Sequence, residues 1–145
     1  MSLWLTLPWL LPLLSASLLL LLPRPGLRPL VGGLTAVGLL FSCGLLWKEV
    51  QSSGVQTFFA GNWPAPFVIT LVADRWARLF LLFVNAVASL GLLVFFQSRP
   101  LRPEVATPVL LCLWSAINGS ILTGDLFNLY VWFEISLICS LVLMV

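Results

Sequence analysis

Five apolar runs, each about 18–22 residues long, dominate this chain and determine what it can fold into. A helix of that length spans the ~30 Å hydrocarbon core of a bilayer. Strands are excluded because the runs show no alternation of apolar and polar residues and because an open sheet edge cannot lie in lipid. The predicted spans are Leu3–Leu22, Leu30–Trp47, Trp76–Gln97, Val105–Leu122 and Leu126–Val145. We therefore predict an all-α integral membrane protein with five transmembrane helices in a single membrane domain, residues 1–145.

The composition agrees with a membrane protein. Hydrophobic residues make up 61% of the chain and charged residues 8%, whereas a soluble domain carries about 25% charged residues. The net charge of +2 is too small and too scattered to predict a nucleic-acid partner. Histidine is absent from the sequence, and the three cysteines lie isolated in apolar runs, where they are interpreted as small apolar fillers. We expect neither a metal site nor a cofactor.

The short connections between the runs differ in charge. The first and third connections carry an excess of arginine, whereas the fourth carries only Asp125. The basic residues of the two connections, set against the single acid Glu104, are Arg24, Arg28, Arg99 and Arg102. Because cytoplasmic loops carry an excess of Lys and Arg, this pattern predicts a multi-pass protein of the cell membrane with an extracytoplasmic N-terminus. The opposite orientation stays open, since Lys48, Arg75 and Arg78 lie on the other side.

The second connection, residues 48–75, is the one long loop between the predicted spans, and we expect it to be extracytoplasmic. Glycine and proline residues interrupt it, and the apolar run Phe67–Val72 follows them. The pattern predicts a short interfacial hairpin or strand pair in the middle of the loop. Trp63 and Trp76 are expected at headgroup level, where an amphipathic ring is favoured.

Glu134 is an ionisable residue in the middle of the fifth apolar run. About nine residues, at ~1.5 Å each, separate it from the polar turn Thr123–Asp125, which places its carboxyl roughly 13 Å into the bilayer core. A charge there costs at least a few kcal/mol, so an acid inside the membrane is a functional-site hypothesis by default. The functional interpretation is a carboxyl that loads and releases a proton. The structural alternative is a neutral glutamic acid that hydrogen-bonds to a neighbouring helix.

Three other polar side chains are predicted to lie near Glu134. Tyr130 precedes it by four residues and shares its helix face. Counting back from the preceding turn brings Ser115 of the fourth span to about the depth of Glu134, and counting inward from Arg75 brings Asn85 of the third span to a similar depth. A hydroxyl, an amide and a carboxyl at one level predict the start of a hydrated polar axis.

The charged residues at the ends of two spans have simpler explanations. Asp125 directly precedes the fifth helix, where a short polar side chain caps free N–H groups and an anion suits the helix dipole; a role in proton uptake or release is the alternative. Asp74 and Arg75 are interpreted first as an interfacial charge cluster that fixes the start of the third helix, with polarisation of the acid as the alternative. The motif Asn118-Gly-Ser120 matches a glycosylation sequon, but it lies within a predicted span and is discounted.

A family resemblance is carried by the twelve residues Thr123-Gly-Asp-Leu-Phe-Asn-Leu-Tyr-Val-Trp-Phe-Glu134. This run resembles the antiporter-like membrane subunits shared by Mrp-type multisubunit Na+/H+ antiporters and respiratory complex I. Two further motifs, Gly61-Asn-Trp-Pro-Ala-Pro-Phe67 and Val72-Ala-Asp-Arg75, resemble the stretch before the third helix in the D-type subunits of the Mrp group. Together the motifs cover about 30 residues.

The resemblance implies a protein of about fourteen helices that moves protons across the membrane, with this chain as its N-terminal part. An apolar run that reaches Val145 without an interfacial anchor agrees with a longer chain. The resemblance also implies that the acid matching Glu134 pairs with a lysine on a later helix. The only lysine in this sequence, Lys48, falls in the predicted loop, so the implied partner is missing from these residues. The implied partners are other membrane subunits of a multisubunit antiporter, the lipid bilayer, protons and Na+.

Three functional hypotheses remain open from the sequence. The first is a proton-translocating subunit of a cation (Na+)/proton antiporter, which is a transporter and not an enzyme, with Glu134 as the protonatable residue. The second is an antiporter-like proton-pumping subunit of respiratory complex I (NADH-quinone oxidoreductase) or of a membrane-bound hydrogenase. The third, from another class, is a scaffold or assembly subunit that does not transport. No cluster of residues in the sequence identifies the cation.

Overall fold

A computed structural model describes residues 3–60, 68–98 and 102–144 of the chain. Its helices are α1 (Leu3–Leu21), α2 (Leu27–Ser53), α3 (Arg75–Gln97), α4 (Pro103–Leu122) and α5 (Leu126–Met144). Two short strands, β1 (Gln56–Phe59) and β2 (Thr70–Ala73), pair antiparallel between α2 and α3. All five helices are long and apolar enough to cross a membrane. The prediction of an all-α membrane protein with five spanning helices is therefore confirmed.

Helix α2 differs from the predicted span Leu30–Trp47 at both ends, and the prediction that placed Lys48 in a loop is wrong. The predicted span stops where charged residues begin. Lysine and glutamate are good helix formers, however, and their apolar stems can lie along a helix end while the charge stays in water. The added turns bury Val50, which is 3% exposed. Gly54 then ends the helix with a φ of 78°, which glycine adopts without steric cost, and its N–H donates to the Val50 carbonyl at 3.1 Å.

The starts of α3 and α4 are set by local chemistry rather than by hydropathy. The Asp74 carboxylate accepts a hydrogen bond from the N–H of Ala77 at 2.7 Å and so caps α3. Pro103 occupies the first turn of α4, where N–H groups have no acceptor within the helix, so a residue without an N–H loses no helical hydrogen bond there. Both helices consequently begin one or two residues before their predicted spans.

The strand pair predicted in the long connection is present. Thr57 pairs with Val72 and Phe58 with Leu71, and the two strands flank residues 61–67, which lie outside the described residues together with the prediction for Trp63. Trp76 lies in the first turn of α3 and is 69% exposed.

The interior consists of two apolar clusters, one toward each end of the bundle. The cluster at the hairpin end includes Leu46, Leu81 and Leu122, and the cluster at the opposite end includes Leu39 and Leu111. All five of these leucines are 0% exposed. Helix α1 packs against α2 and α4, α2 packs against α3, and α5 packs mainly against α4. Helix α5 therefore lies at the edge of the bundle.

A buried polar network lies between the two clusters and joins four helices. The amides of Asn85 on α3 and Asn118 on α4 donate to each other's carbonyl oxygens at 3.1 Å. The indole N–H of Trp114 donates to the Asn85 carbonyl oxygen at 2.7 Å, and the Asn85 amide reaches the Cys43 sulfur on α2 at 3.4 Å. Both asparagines are 0% exposed. Buried amides that find several partners hold neighbouring helices in one register.

The network reaches α1 because a proline frees a backbone carbonyl there. Pro12 has no N–H to donate to the carbonyl of Pro8, four residues earlier. The Asn118 amide donates to that carbonyl at 2.8 Å, and the Ser115 hydroxyl donates to the neighbouring carbonyl of Trp9. Pro12 is thus accommodated by α4, which supplies a donor for the carbonyl that the proline leaves without its helical partner.

Replacing Asn118 by Ala is expected to lower the free energy of unfolding by about 1–2 kcal/mol, because buried interhelical hydrogen bonds are lost in a place without water. In a Pro12→Ala background the loss should be smaller, since residue 12 then donates its own N–H to the Pro8 carbonyl. Thermal unfolding of the four proteins in detergent measures the coupling between the two positions. Equal losses in both backgrounds would contradict the proposed role of Pro12.

Candidate functional site

Glu134 is the ninth of the 19 residues of α5, so its side chain leaves the helix close to half-way along its length. Its carboxylate lies on the face of α5 that points away from the other described helices. On that face Phe127 is 75% exposed and Ile138 57% exposed. An acidic side chain therefore lies within a mostly apolar surface that the described helices leave uncovered.

The Tyr130 hydroxyl lies close enough to the Glu134 carboxylate, one turn away along α5, for the two side chains to interact. Tyr130 is itself 61% exposed, so the pair lies together on the open face. As predicted, these two residues lie next to each other on one face of α5. The structure describes no cation in contact with Glu134, and within residues 3–60, 68–98 and 102–144 no group of three His, Cys, Asp or Glu side chains could hold a metal ion.

The structure does not bring Asn85 and Ser115 together with Glu134. Both side chains point into the bundle, where Asn85 is 0% exposed and Ser115 is 1% exposed. Their hydrogen bonds go to α1, α2, α3 and α4, and none of those described reaches α5. Counting residues gave their depth along the helices but not the direction in which each side chain points. The polar axis predicted through these three residues is absent from the described part of the chain.

Asp125 performs two structural tasks at once. One carboxylate oxygen accepts from the N–H of Asn128 at 2.6 Å, which caps α5, and the other accepts from the N–H of Thr70 on β2 at 3.2 Å. The Gly124 N–H donates to the Thr70 carbonyl at 2.7 Å. The turn before α5 therefore extends the hairpin by backbone pairing. A Cβ at position 124 would come within 2.7 Å of Val72, so glycine is required there.

Replacing Asp125 by Ala is expected to cost about 2 kcal/mol, roughly 1 from the lost cap and roughly 1 from the lost bond to the hairpin. Asp125→Asn keeps one acceptor oxygen and should lose about half of that. Thermal unfolding gives the magnitude, and proteolysis within residues 54–74 reports release of the hairpin. A hairpin that stays protected from proteolysis in Asp125→Ala would contradict the role of Asp125 in holding the hairpin.

The arginines beside the start of α3 lie apart from Glu134. Arg75 is exposed at the first position of α3. The Arg78 guanidinium stacks over the Trp47 ring, 4.2 Å from its centroid, and donates to the Trp47 carbonyl at 3.2 Å. Both contacts hold α3 against the last turns of α2. Asp74, which caps α3, belongs to the same end of the bundle.

Sequence reasoning missed two residues that hold α4 against its neighbours, Asn118 against α1 and α3 and Gly119 against α5. From the sequence, Asn118 is considered only as part of a glycosylation sequon, and no role is predicted for the adjacent Gly119. A Cβ at position 119 would overlap the indole ring of Trp132 on α5, so glycine lets the two helices approach. The Trp132 ring also packs on Trp9, with centroids 5.6 Å apart. An amide and a glycine adjacent in a membrane span were the available signal, since both are typical of helix–helix interfaces.

Comparisons with known proteins agree with this architecture. The D-type subunit of the Na+/H+ antiporter of Alkalihalophilus pseudofirmus is 37% identical over 142 residues, and that of Bacillus subtilis is 38% identical over 143 residues. Each alignment covers 96% of this chain and 29% of the relative. The D-type subunit of a probable K+/H+ antiporter of Rhizobium meliloti is 32% identical over 144 residues, which is 94% of this chain and 26% of that protein. No protein-family model matches the sequence.

Two solved structures share the fold. A chain of the membrane-bound sulfane sulfur reductase, an archaeal respiratory membrane complex, matches with a TM-score of 0.83 and 27% identity over 94% of this chain and 29% of that one. A chain of the Mrp complex from a Dietzia species matches with a TM-score of 0.78 and 24% identity, over 94% of this chain and 26% of that one. The second likeness concerns the fold alone.

The fold and these relatives define the chain as an antiporter-like, multi-pass membrane subunit. It belongs to the family of D-type Na+/H+ antiporter subunits, which confirms the resemblance predicted from the run Thr123–Glu134. The chain spans less than a third of the length of the curated relatives it matches.

Proposed function

We propose that the chain is part of a proton-translocating subunit of a multisubunit cation/proton antiporter, with Glu134 as the group that takes up and releases the proton. The observation that carries this proposal is an acidic side chain half-way along a membrane-length helix, on a face that the described helices leave open. Such a carboxyl is too costly in lipid to persist without a function or a partner. Relatives named as Na+/H+ antiporter subunits support the transporter class.

The open face of α5 is the surface on which we propose that the remaining helices of the transporter pack. An exposed acid amid apolar side chains requires a polar or cationic group from a helix outside these 145 residues, as the family resemblance implies for a lysine. Other membrane subunits are the partners we propose, and the cell membrane, with the N-terminus extracytoplasmic, is the proposed location. Na+ is the proposed cation, although one relative is named for K+.

The proposal is tested in everted membrane vesicles that contain the full-length protein and its partner subunits. A pH gradient is imposed, Na+ or K+ is added, and a fluorescent pH indicator follows proton movement. We expect cation-dependent collapse of the gradient, absent from vesicles that lack this protein. An assembled complex that moves no protons on addition of either cation would overturn the proposal in favour of a scaffold.

A respiratory role is the second candidate, because the sulfane sulfur reductase complex shares the fold at 27% identity. In that case the same helices would move protons only when a redox reaction drives them. Proton movement that requires an electron donor and ignores added cation would favour this candidate over the antiporter.

A further inference from the structure

Two contacts define the line along which α4 and α5 pack antiparallel, and we call this line the α4–α5 seam. At the turn between the helices, the Asn128 amide donates to the Thr123 hydroxyl at 2.9 Å. Four residues further from the turn on each helix, Gly119 lies against the Trp132 ring. Because the helices are antiparallel and rise equally per residue, equal steps away from the turn keep the residues of a pair at one level.

The next pair along the α4–α5 seam consists of two cysteines. Cys112 lies seven residues before Gly119, and Cys139 lies seven residues after Trp132. Seven residues make almost two turns, so the cysteines return to the helix faces that Gly119 and Trp132 occupy. The two thiols are also close enough to interact electrostatically. The register of the seam therefore places the two sulfurs opposite each other.

Burial agrees with this placement. On α5 the described buried residues are Asn128 and Cys139, and both belong to the α4–α5 seam. Cys139 is 8% exposed, whereas Cys112 packs at the edge of the apolar cluster around Leu111 and is only partly buried. A small oxidant therefore reaches Cys112 first and finds Cys139 beside it.

The spacing of α4 and α5 suits a covalent bond between the two sulfurs. Packed helices lie about 8–10 Å apart, and the close approach at Gly119 favours the short end of this range. Each Cα lies ~2.3 Å from its helix axis, so directly facing Cα atoms are separated by roughly 4–6 Å. A disulfide joins Cα atoms that are about 4.4–6.8 Å apart. The two free thiols can therefore be joined without a large movement of either backbone.

We propose that Cys112 and Cys139 are a modification site, which hydrogen peroxide converts to a disulfide between α4 and α5. The Cys112 sulfur attacks a peroxide oxygen, the O–O bond breaks, and a sulfenic acid and one water form. The Cys139 sulfur then attacks the Cys112 sulfur, so the S–S bond forms, the S–O bond breaks and a second water leaves. In total the two thiols lose two electrons and two protons, which the peroxide takes up as two waters.

The disulfide would hold α5 on both sides of Glu134. On the side of the turn, the Asp125 carboxylate already accepts a hydrogen bond from the Thr70 N–H. Five residues after Glu134, the new bond would join Cys139 to α4. A helix held at both places cannot shift while Glu134 takes up and releases a proton. This consequence rests on the function proposed above, and it predicts that oxidation stops proton movement and that reduction restores it.

The test uses the full-length protein in its assembled complex, in everted vesicles treated with hydrogen peroxide. The remaining thiols are blocked with N-ethylmaleimide, and mass spectrometry measures the fraction of Cys112 and Cys139 joined in one cross-linked peptide. We expect this fraction to rise with peroxide, cation-dependent proton movement to fall in proportion to it, and dithiothreitol to reverse both changes.

Two results would overturn the proposal. One is the absence of the cross-linked peptide after peroxide treatment, and the other is a cross-linked protein that moves protons at the rate of the reduced one. Proton movement by the reduced protein tests the proposed function separately. If it is absent there, the antiporter assignment fails while the cross-linked peptide still reports on the cysteine pair.

Three variants are the controls. Cys112→Ser should prevent both the cross-link and the inhibition by peroxide. Cys43→Ser keeps a polar group beside Asn85 and should leave both unchanged, because Cys43 lies on α2. Cys139→Ser/Leu143→Cys keeps the number of thiols but moves one of them by about 6 Å along α5, so it should not cross-link. Cross-linking of this displaced pair to the same extent as in the wild type would contradict the register of the seam.

Discussion

Glu134→Gln is expected to reduce cation-dependent proton movement to the background level while leaving the complex assembled. Glutamine has the shape of glutamate and can still accept a hydrogen bond from Tyr130, but it cannot bind or release a proton. The side chain lies on the open face of α5, so its replacement disturbs none of the described packing. Removing a charge from the membrane core should if anything favour insertion, since a central charge costs at least ~2.5 kcal/mol.

The measurement is the rate of pH-gradient collapse in everted vesicles, with the amount of assembled complex determined on the same membranes. Glu134→Asp keeps the carboxyl on a shorter side chain and should retain part of the rate. Glu49→Gln is the matched control, because it removes a carboxylate near the end of α2, and it should exchange normally. Normal exchange by Glu134→Gln would remove the proton-carrier role from this residue.

Gly119→Ala is expected to have the largest effect on stability. The added methyl would overlap the Trp132 ring, and that ring cannot turn aside because it is packed against Trp9. Helices α4 and α5 would have to separate, with a cost of about 1–3 kcal/mol or more for overpacking. Because α5 packs mainly against α4, much of its attachment to the described bundle would be lost.

Thermal unfolding in detergent and the yield of assembled complex measure this loss. Gly44→Ala is the matched control, since a Cβ there meets nothing within 4 Å and the same substitution should be neutral or slightly stabilising. The double change Gly119→Ala/Trp132→Leu removes the ring and should recover part of the stability. A Gly119→Ala protein as stable as the wild type would show that the two helices can move apart freely.

The existence and number of the helices could be predicted because hydropathy acts over a whole span and tolerates local exceptions. The extra turns of α2 could not, since they depend on Val50 finding a buried place against the hairpin and α3. The direction in which buried side chains point could not be predicted from the sequence either. Asn85 and Ser115 share a depth with Glu134 by residue count, but their orientation depends on which neighbours offer donors or acceptors. These are Asn118 and Trp114 for Asn85, and the Trp9 carbonyl for Ser115.

The helix-capping role of Asp125 follows from the sequence, whereas its bond to Thr70 does not. A cap is a local feature that four neighbouring residues specify. The bond to β2 joins residues 55 positions apart, and its partner becomes known only when the hairpin is folded. The open face around Glu134 could not be predicted, because hydropathy does not tell which side of a helix the other helices cover.

The hydrogen bonds between the hairpin and the turn at Gly124 have a mechanical consequence. Any tilt, slide or rotation of α5 must pull on the loop between α2 and α3, because the Gly124 N–H bonds to the Thr70 carbonyl and the Asp125 carboxylate bonds to the Thr70 N–H. Restraining this loop is therefore expected to restrain the movement of α5. An antibody fragment or a cross-link that immobilises this loop would slow any displacement of α5 that accompanies the proposed proton transfer.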